Sequence, residues 1–134
     1  MVDEKYPWYR KVSIDWDGVV EVFPHVDPVE MIPGAMVGIK AFLDAGWKVY
    51  IFSAGNKDKS RRNTIIKRLQ EWSKGVCPGG FLTAYPDQIE FPSQKPGAKL
   101  YVDDRSFKFE GWDSLGVEIA EGFRAWWQHP SSTR

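Results

Sequence analysis

The sequence predicts an α/β domain built on a mainly parallel sheet, and three observations carry that prediction. Short β-branched and aromatic runs at 12–14, 47–52 and 99–102 are separated by stretches whose apolar residues recur at helical spacing. The order strand, helix, strand, helix, strand calls for right-handed crossovers and therefore parallel neighbours. Each strand also ends in polar residues: Asp15 and Asp17 after the first, Ser53 after the second, Asp103 and Asp104 after the late one. The carboxyl ends of the strands are the edge at which such sheets bind ligands.

The elements follow in order. Val12 and Ile14 lead into Asp15-Trp16-Asp17-Gly18, then Val19 and Val20, which reads as a buried strand running into a tight loop at Gly18. Pro33 in a first helical turn, an apolar face of Val37, Ile39, Phe42 and Leu43, and Gly46 as a stop predict a helix. The run 47–52 is a second strand, and Ser53-Ala54-Gly55-Asn56 a turn. A helix over 58–73 carries Ile65, Ile66, Leu69 and Trp72 on one side and lysines and arginines on the other, and Gly75 closes it. The middle, with Pro78, Pro86, Pro92 and Pro96, holds two short strands at 81–83 and 89–91. Lys99-Leu100-Tyr101-Val102 is a further buried strand. Beyond it the pattern suggests a turn of helix at 112–115, a strand at 117–120 and a C-terminal helix through Trp127.

With 134 residues, 43% of them hydrophobic, the chain is long enough for one domain with a core at about 11–128 and loosely held ends. A domain of this size buries roughly two-thirds of its unfolded surface, so it needs no disulfide or metal staple. Basic and acidic side chains balance at 18 each, which argues against a protein whose main task is coating nucleic acid. The apolar runs are short or interrupted by Lys40 and Lys48, so no membrane span is expected. The single cysteine, Cys77, has no partner for an internal disulfide, and the first residues lack the apolar stretch of a signal peptide. The expected setting is the cytoplasm.

Four carboxylates on one edge repel unless something positive joins them. Oxygen donors without a nearby His or Cys suit a hard ion such as Mg²⁺ better than zinc. Magnesium beside an aspartate points to phosphoryl chemistry, in which a carboxylate attacks phosphorus and a second acid serves the leaving oxygen and then water. A hydroxyl, a lysine and backbone N–H groups would hold the equatorial oxygens.

These residues resemble the haloacid dehalogenase-like (HAD) phosphohydrolases. The first motif of that family, a strand followed by Asp-x-Asp-x-Thr/Val, is similar to Val12-Ser13-Ile14-Asp15-Trp16-Asp17-Gly18-Val19-Val20. The second, a strand ending in Ser or Thr, resembles Val49-Tyr50-Ile51-Phe52-Ser53, the lysine of the third is matched by Lys95, and the fourth by Leu100-Tyr101-Val102-Asp103-Asp104. The resemblance covers about 11–112, and all four motifs in order are far more specific than any one of them. It implies a Rossmann-like three-layer sandwich with a mainly parallel sheet. It also implies a Mg²⁺-dependent phosphatase acting through an aspartyl phosphate. Asp15 would be nucleophile and metal ligand, and Asp17 acid/base and metal ligand through its backbone carbonyl. Ser53, Ala54 and Lys95 would hold the phosphate. Asp104 would bind metal directly, with Asp103 acting through water or orienting Lys95. Val19 stands where Thr is commoner, and the stretch between Lys95 and Asp103 is too short for the helix often found there. Lys99 is the alternative lysine, but strand geometry turns it elsewhere. One helix and its neighbouring strands use up each stretch between motifs, so no full cap domain is expected and the site should be open.

An open site would take a phosphorylated small molecule, or a bulkier nucleic acid end; Asp103-Asp104-Arg105 also resembles the fourth motif of polynucleotide 3′-phosphatases. The rival reading is a domain of this type with vestigial chemistry that only binds a nucleotide or nucleic acid end. Single features have plainer explanations. Ser53 is a natural helix cap, and Lys57, Lys59, Arg61, Arg62, Lys67 and Arg68 form the wet face of a helix or a phosphate track. His25 is a surface-loop histidine, Cys77 an inert small residue, and Trp47 and Trp72 belong to the core. Trp126-Trp127 is either a homo-oligomer contact or cover for the site.

Overall fold

A computed structural model describes residues 10–103 and Trp112. The central strand, β1 (Lys11–Asp15), has its middle three residues buried, Val12 and Ile14 completely. It is paired in parallel on both sides, with β2 (Lys48–Phe52) and β4 (Leu100–Val102), while β3 (Ile89–Glu90) adds to the far side of β2. Among the described residues the sheet has four strands, all parallel, in the order β3-β2-β1-β4.

Helix α1 (Ala35–Asp44) connects β1 to β2, and α2 (Lys59–Ser73) leads from β2 toward β3. Both connections step the same way across the sheet, so right-handed crossovers put both helices on one face. Val12, Ile14, Val49, Ile51 and Val102 alternate onto a common face of the sheet, and with Ile39, Phe42, Ile65 and Leu69 they make the core. This is a Rossmann-like α/β fold, with no inserted cap domain among the described residues.

The helical expectations need three corrections. Helix α1 starts two residues after Pro33: Gly34, at φ 83°, caps it, and Ala35 is its first residue. Val37 is not on the packed face but 63% exposed, because the buried stripe runs through Ala35, Met36, Gly38, Ile39, Phe42 and Leu43 and residue 37 points away from it. The segment expected as a strand at 81–83 is instead a short helix, α3 (Phe81–Ala84). Its free N–H groups are met by side chains of α2: Ser73 Oγ accepts from Phe81 at 2.9 Å and Gln70 Oε1 from Leu82 at 2.9 Å. A four-residue apolar run carries no period of its own, and neighbouring side chains decide it.

Trp112 is helical, 4% exposed and packed over α1 at Gly38, where a Cβ would run into its six-membered ring. Its indole N–H donates to the Val19 carbonyl at 3.0 Å, tying α1 to the loop after β1. The strand at 117–120, the C-terminal helix and Trp126-Trp127 lie outside the described residues, as do Asp104 and Arg105. Among the described residues no helix is long and apolar enough to cross a membrane.

Candidate active site

Strand register assembles the site. Asp15 is paired with Phe52, and Ile14 with Val102, so Asp15, Ser53 and Asp103 leave three adjacent strands at nearly one level. With Asp17, Ala54 and Lys95 they line one cavity of about 470 Å³, to which Phe23 and Phe52 add aromatic surface. Every candidate residue within the described part of the chain is therefore in the same pocket.

The loop after β1 is bent by Gly18, whose φ of 83° favours glycine. Its N–H donates to the Glu21 carbonyl at 2.9 Å, and the N–H groups of Val20 and Glu21 both return to the Trp16 carbonyl. That curl aims Asp17 across the pocket mouth, where Oδ2 accepts from Ser53 Oγ at 3.0 Å. Ser53 also accepts from the Gly55 N–H at 3.1 Å, capping the 3-10 turn Ala54–Lys57, so it serves as cap and site residue together. Asn56 ties this turn to the Lys95 side of the pocket by donating to the carbonyls of Ile51 and Pro92.

Lys95 reaches the site without a helix of its own. Tyr101, on β4, fixes the short loop by donating to the Pro96 carbonyl at 2.8 Å and accepting from the Ala98 N–H at 3.1 Å. The ammonium lies 5.2 Å from the centre of the Tyr101 ring and 3.3 Å from Asp103 Oδ2. Lys99 is exposed and is not among the residues lining the cavity.

Sequence reasoning does not reach Glu21, which organises one side of the site. Its carboxylate is 2% exposed yet accepts from Trp16 Nε1 at 2.8 Å and Arg68 at 2.8 Å, and it meets His25 Nδ1 at 2.7 Å. Burial pushes its carboxyl up, but the Trp16 hydrogen bond, the Arg68 charge, the His25 contact and Arg61 outweigh burial and hold it below the ordinary carboxylate value. The one sequence signal was an acid set among valines in Val19-Val20-Glu21-Val22. Arg61 lies 3.7 Å from Glu21 and donates to Asp17 Oδ1 at 3.2 Å; His25 Nε2 stands 3.6 Å from the same oxygen.

His25 is an exposed loop histidine, as expected, and its ring also reaches Glu21 and Asp17. One expectation about charge is revised: the basic run over 57–68 is divided. Arg61 and Arg68 share the inward stripe with Ile65 and Trp72, whereas Lys57, Lys59, Arg62 and Lys67 are exposed. Trp72 stacks on the fully buried Trp16, with ring centres 5.6 Å apart and planes 4° from parallel. Helix α2 is thus docked on the loop from Trp16 to Glu21 by a stacked tryptophan and two arginines.

Among the described residues no group of three or more His, Cys, Asp or Glu side chains is arranged to hold a metal ion. The pocket acids offer only oxygen donors, and Mg²⁺ is commonly held by one or two carboxylates together with water and substrate phosphate. The donor chemistry fits that ion.

Fold and site together define an α/β domain with an acidic pocket and one lysine at the carboxyl ends of a parallel sheet. No family model matches the chain, and no curated protein matches it. Among solved structures it is similar to a conserved protein from Bacteroides thetaiotaomicron, at 19% identity and a TM-score of 0.51, over 83% of this chain and 89% of that one. At that identity the likeness concerns the fold.

Proposed function

We propose that the chain is a Mg²⁺-dependent phosphomonoesterase of the HAD-like kind, acting on a phosphorylated small molecule. The observation that carries this reading is the convergence of Asp15, Asp17, Ser53, Lys95 and Asp103 on one cavity, with Asp15, Ser53 and Asp103 levelled by strand register. Ser53, the N–H groups of the turn at Ala54 and Lys95 hold the phosphate oxygens. An Asp15 oxygen attacks phosphorus and the bond to the leaving oxygen breaks, while Asp17 gives that oxygen its proton. Water then attacks phosphorus, Asp17 takes the water's proton, and cleavage of the P–O bond to Asp15 releases phosphate and restores the carboxylate. Mg²⁺ would be held by Asp15, the Asp17 carbonyl and the Asp103-Asp104 pair, and would offset the repulsion between nucleophile and phosphate.

The test is turnover of an aryl phosphate by the full chain with Mg²⁺ and with excess chelator. The expected result is hydrolysis that stops with chelator; undiminished turnover in chelator would overturn the metal-dependent reading. One contact favours the binding-only alternative: Arg61 already engages Asp17 Oδ1, an oxygen the proton transfer could use. Phosphonate binding without hydrolysis of any phosphomonoester would establish that alternative.

A further inference from the structure

The cavity is larger than a phosphate requires. At about 30 Å³ for each heavy atom, the share of a water molecule, a phosphate fills no more than about 150 Å³, whereas the cavity holds about 470 Å³. The remaining space has a definite chemistry. Phe23, Phe52 and Ala54 supply apolar surface, and among the described lining residues Lys95 is the one cation, already beside Asp103. A second phosphate would find no counter-charge on those walls.

Phe23 is the exposed part of this wall. It is 60% exposed, so its ring is available to a ligand. It is also held in place. Its ring meets His25 edge to face, with centres 5.2 Å apart at 90°, and His25 is fixed by Glu21 at 2.7 Å. Backbone bonds from Val22 to Glu30 and from Ile32 to Val20 pin both sides of the loop. His25 in turn stands beside Asp17, the group that serves the leaving oxygen. The aromatic wall therefore lies on the side of the pocket from which the leaving group departs.

Building on the phosphatase reading, we infer that Phe23 forms a leaving-group subsite and that the substrates are phosphomonoesters of flat, apolar, uncharged ring systems. Stacking on a ring already fixed in position loses little freedom on binding, and aromatic pairs contribute beyond the area they bury.

The test is calorimetric titration of the full chain, in Mg²⁺, with phenylphosphonate and with methylphosphonate, which share the anionic head and differ in the ring. The parent should bind the phenyl compound about tenfold more tightly. Phe23→Ala should remove that preference and leave methylphosphonate affinity unchanged, and Phe23→Leu should remove most of it. Equal binding of the two phosphonates by the parent, or a preference that survives in both variants, overturns the subsite while leaving the phosphate site intact. Failure of both phosphonates to bind overturns the phosphatase reading, and the subsite with it.

Discussion

Asp15 and Asp17 sit two residues apart but in different surroundings, and the roles proposed for them divide accordingly. Asp15 ends a strand and faces the cavity; Asp17 is held by Ser53 and Arg61 beyond a glycine turn. Asp15→Asn should abolish aryl phosphate turnover while the thermal unfolding curve stays near that of the parent, since the change keeps size and lies at the pocket edge. Turnover near the parent rate would instead assign attack to a water molecule. Glu21 gives a second prediction. Removing its charge strands Arg68, which is 28% exposed, and weakens the hold on Arg61 and His25. Glu21→Gln should cost about 2–3 kcal/mol in chemical denaturation at neutral pH, as expected when one partner of a largely buried pair is lost. The pH dependence has a sign. Because its folded-state carboxyl lies below the ordinary value, its contribution is present above the unfolded-state pKa and is lost as pH falls through the folded-state one. The stability gap between parent and Glu21→Gln should therefore narrow on acidification from pH 5 downward, and a gap that widened would refute the assignment.

At the scale of elements, two helices are held by contacts their sequences do not display. Helix α1 lies against Trp112 at Gly38. Helix propensity alone would make Gly38→Ala stabilising by about 1 kcal/mol. The new methyl meets the indole ring, so the expected outcome is the reverse, a loss of about 1–3 kcal/mol seen as a lower Tm. Helix α3 depends on Ser73 and Gln70 for its first N–H groups. An expected strand becomes a helix because α2 supplies those acceptors. The same logic divides the basic run on α2: helical spacing puts Arg61, Ile65, Arg68 and Trp72 on one stripe, and the buried Glu21 and Trp16 make that stripe an inward face. The spacing was readable in advance; the acid that turns two arginines inward was not, because it lies in a loop with no period.

Over the whole molecule, the charges balance at 18 and 18, and the exposed cations of α2 do not line the pocket. This distribution suits a small substrate better than a polyanion. Lys59→Ala with Arg62→Ala should leave kcat/KM for an aryl phosphate within about twofold across a salt series, because neither side chain lines the pocket. A large loss, or a preference for a 3′-phosphorylated oligonucleotide that these changes remove, would restore the nucleic-acid reading.

What the sequence determined alone was the alternation of strands and helices and the position of polar residues at strand ends. Both rest on local patterns: burial of β-branched runs, helical spacing, and glycine where the chain must bend. The parallel order then follows from the handedness of crossovers, and with it the meeting of Asp15, Ser53 and Asp103. The tertiary structure decided the rest. It set Lys95 on the cavity wall through a tyrosine that pins a nine-residue connection too irregular to read. It brought His25 and Arg61 to Asp17 and Arg68 to Glu21, and it placed Phe23 on the wall of the cavity. Such contacts join residues far apart in the chain, and their energies come from burial, charge pairing and ring packing that exist only once the sheet has formed.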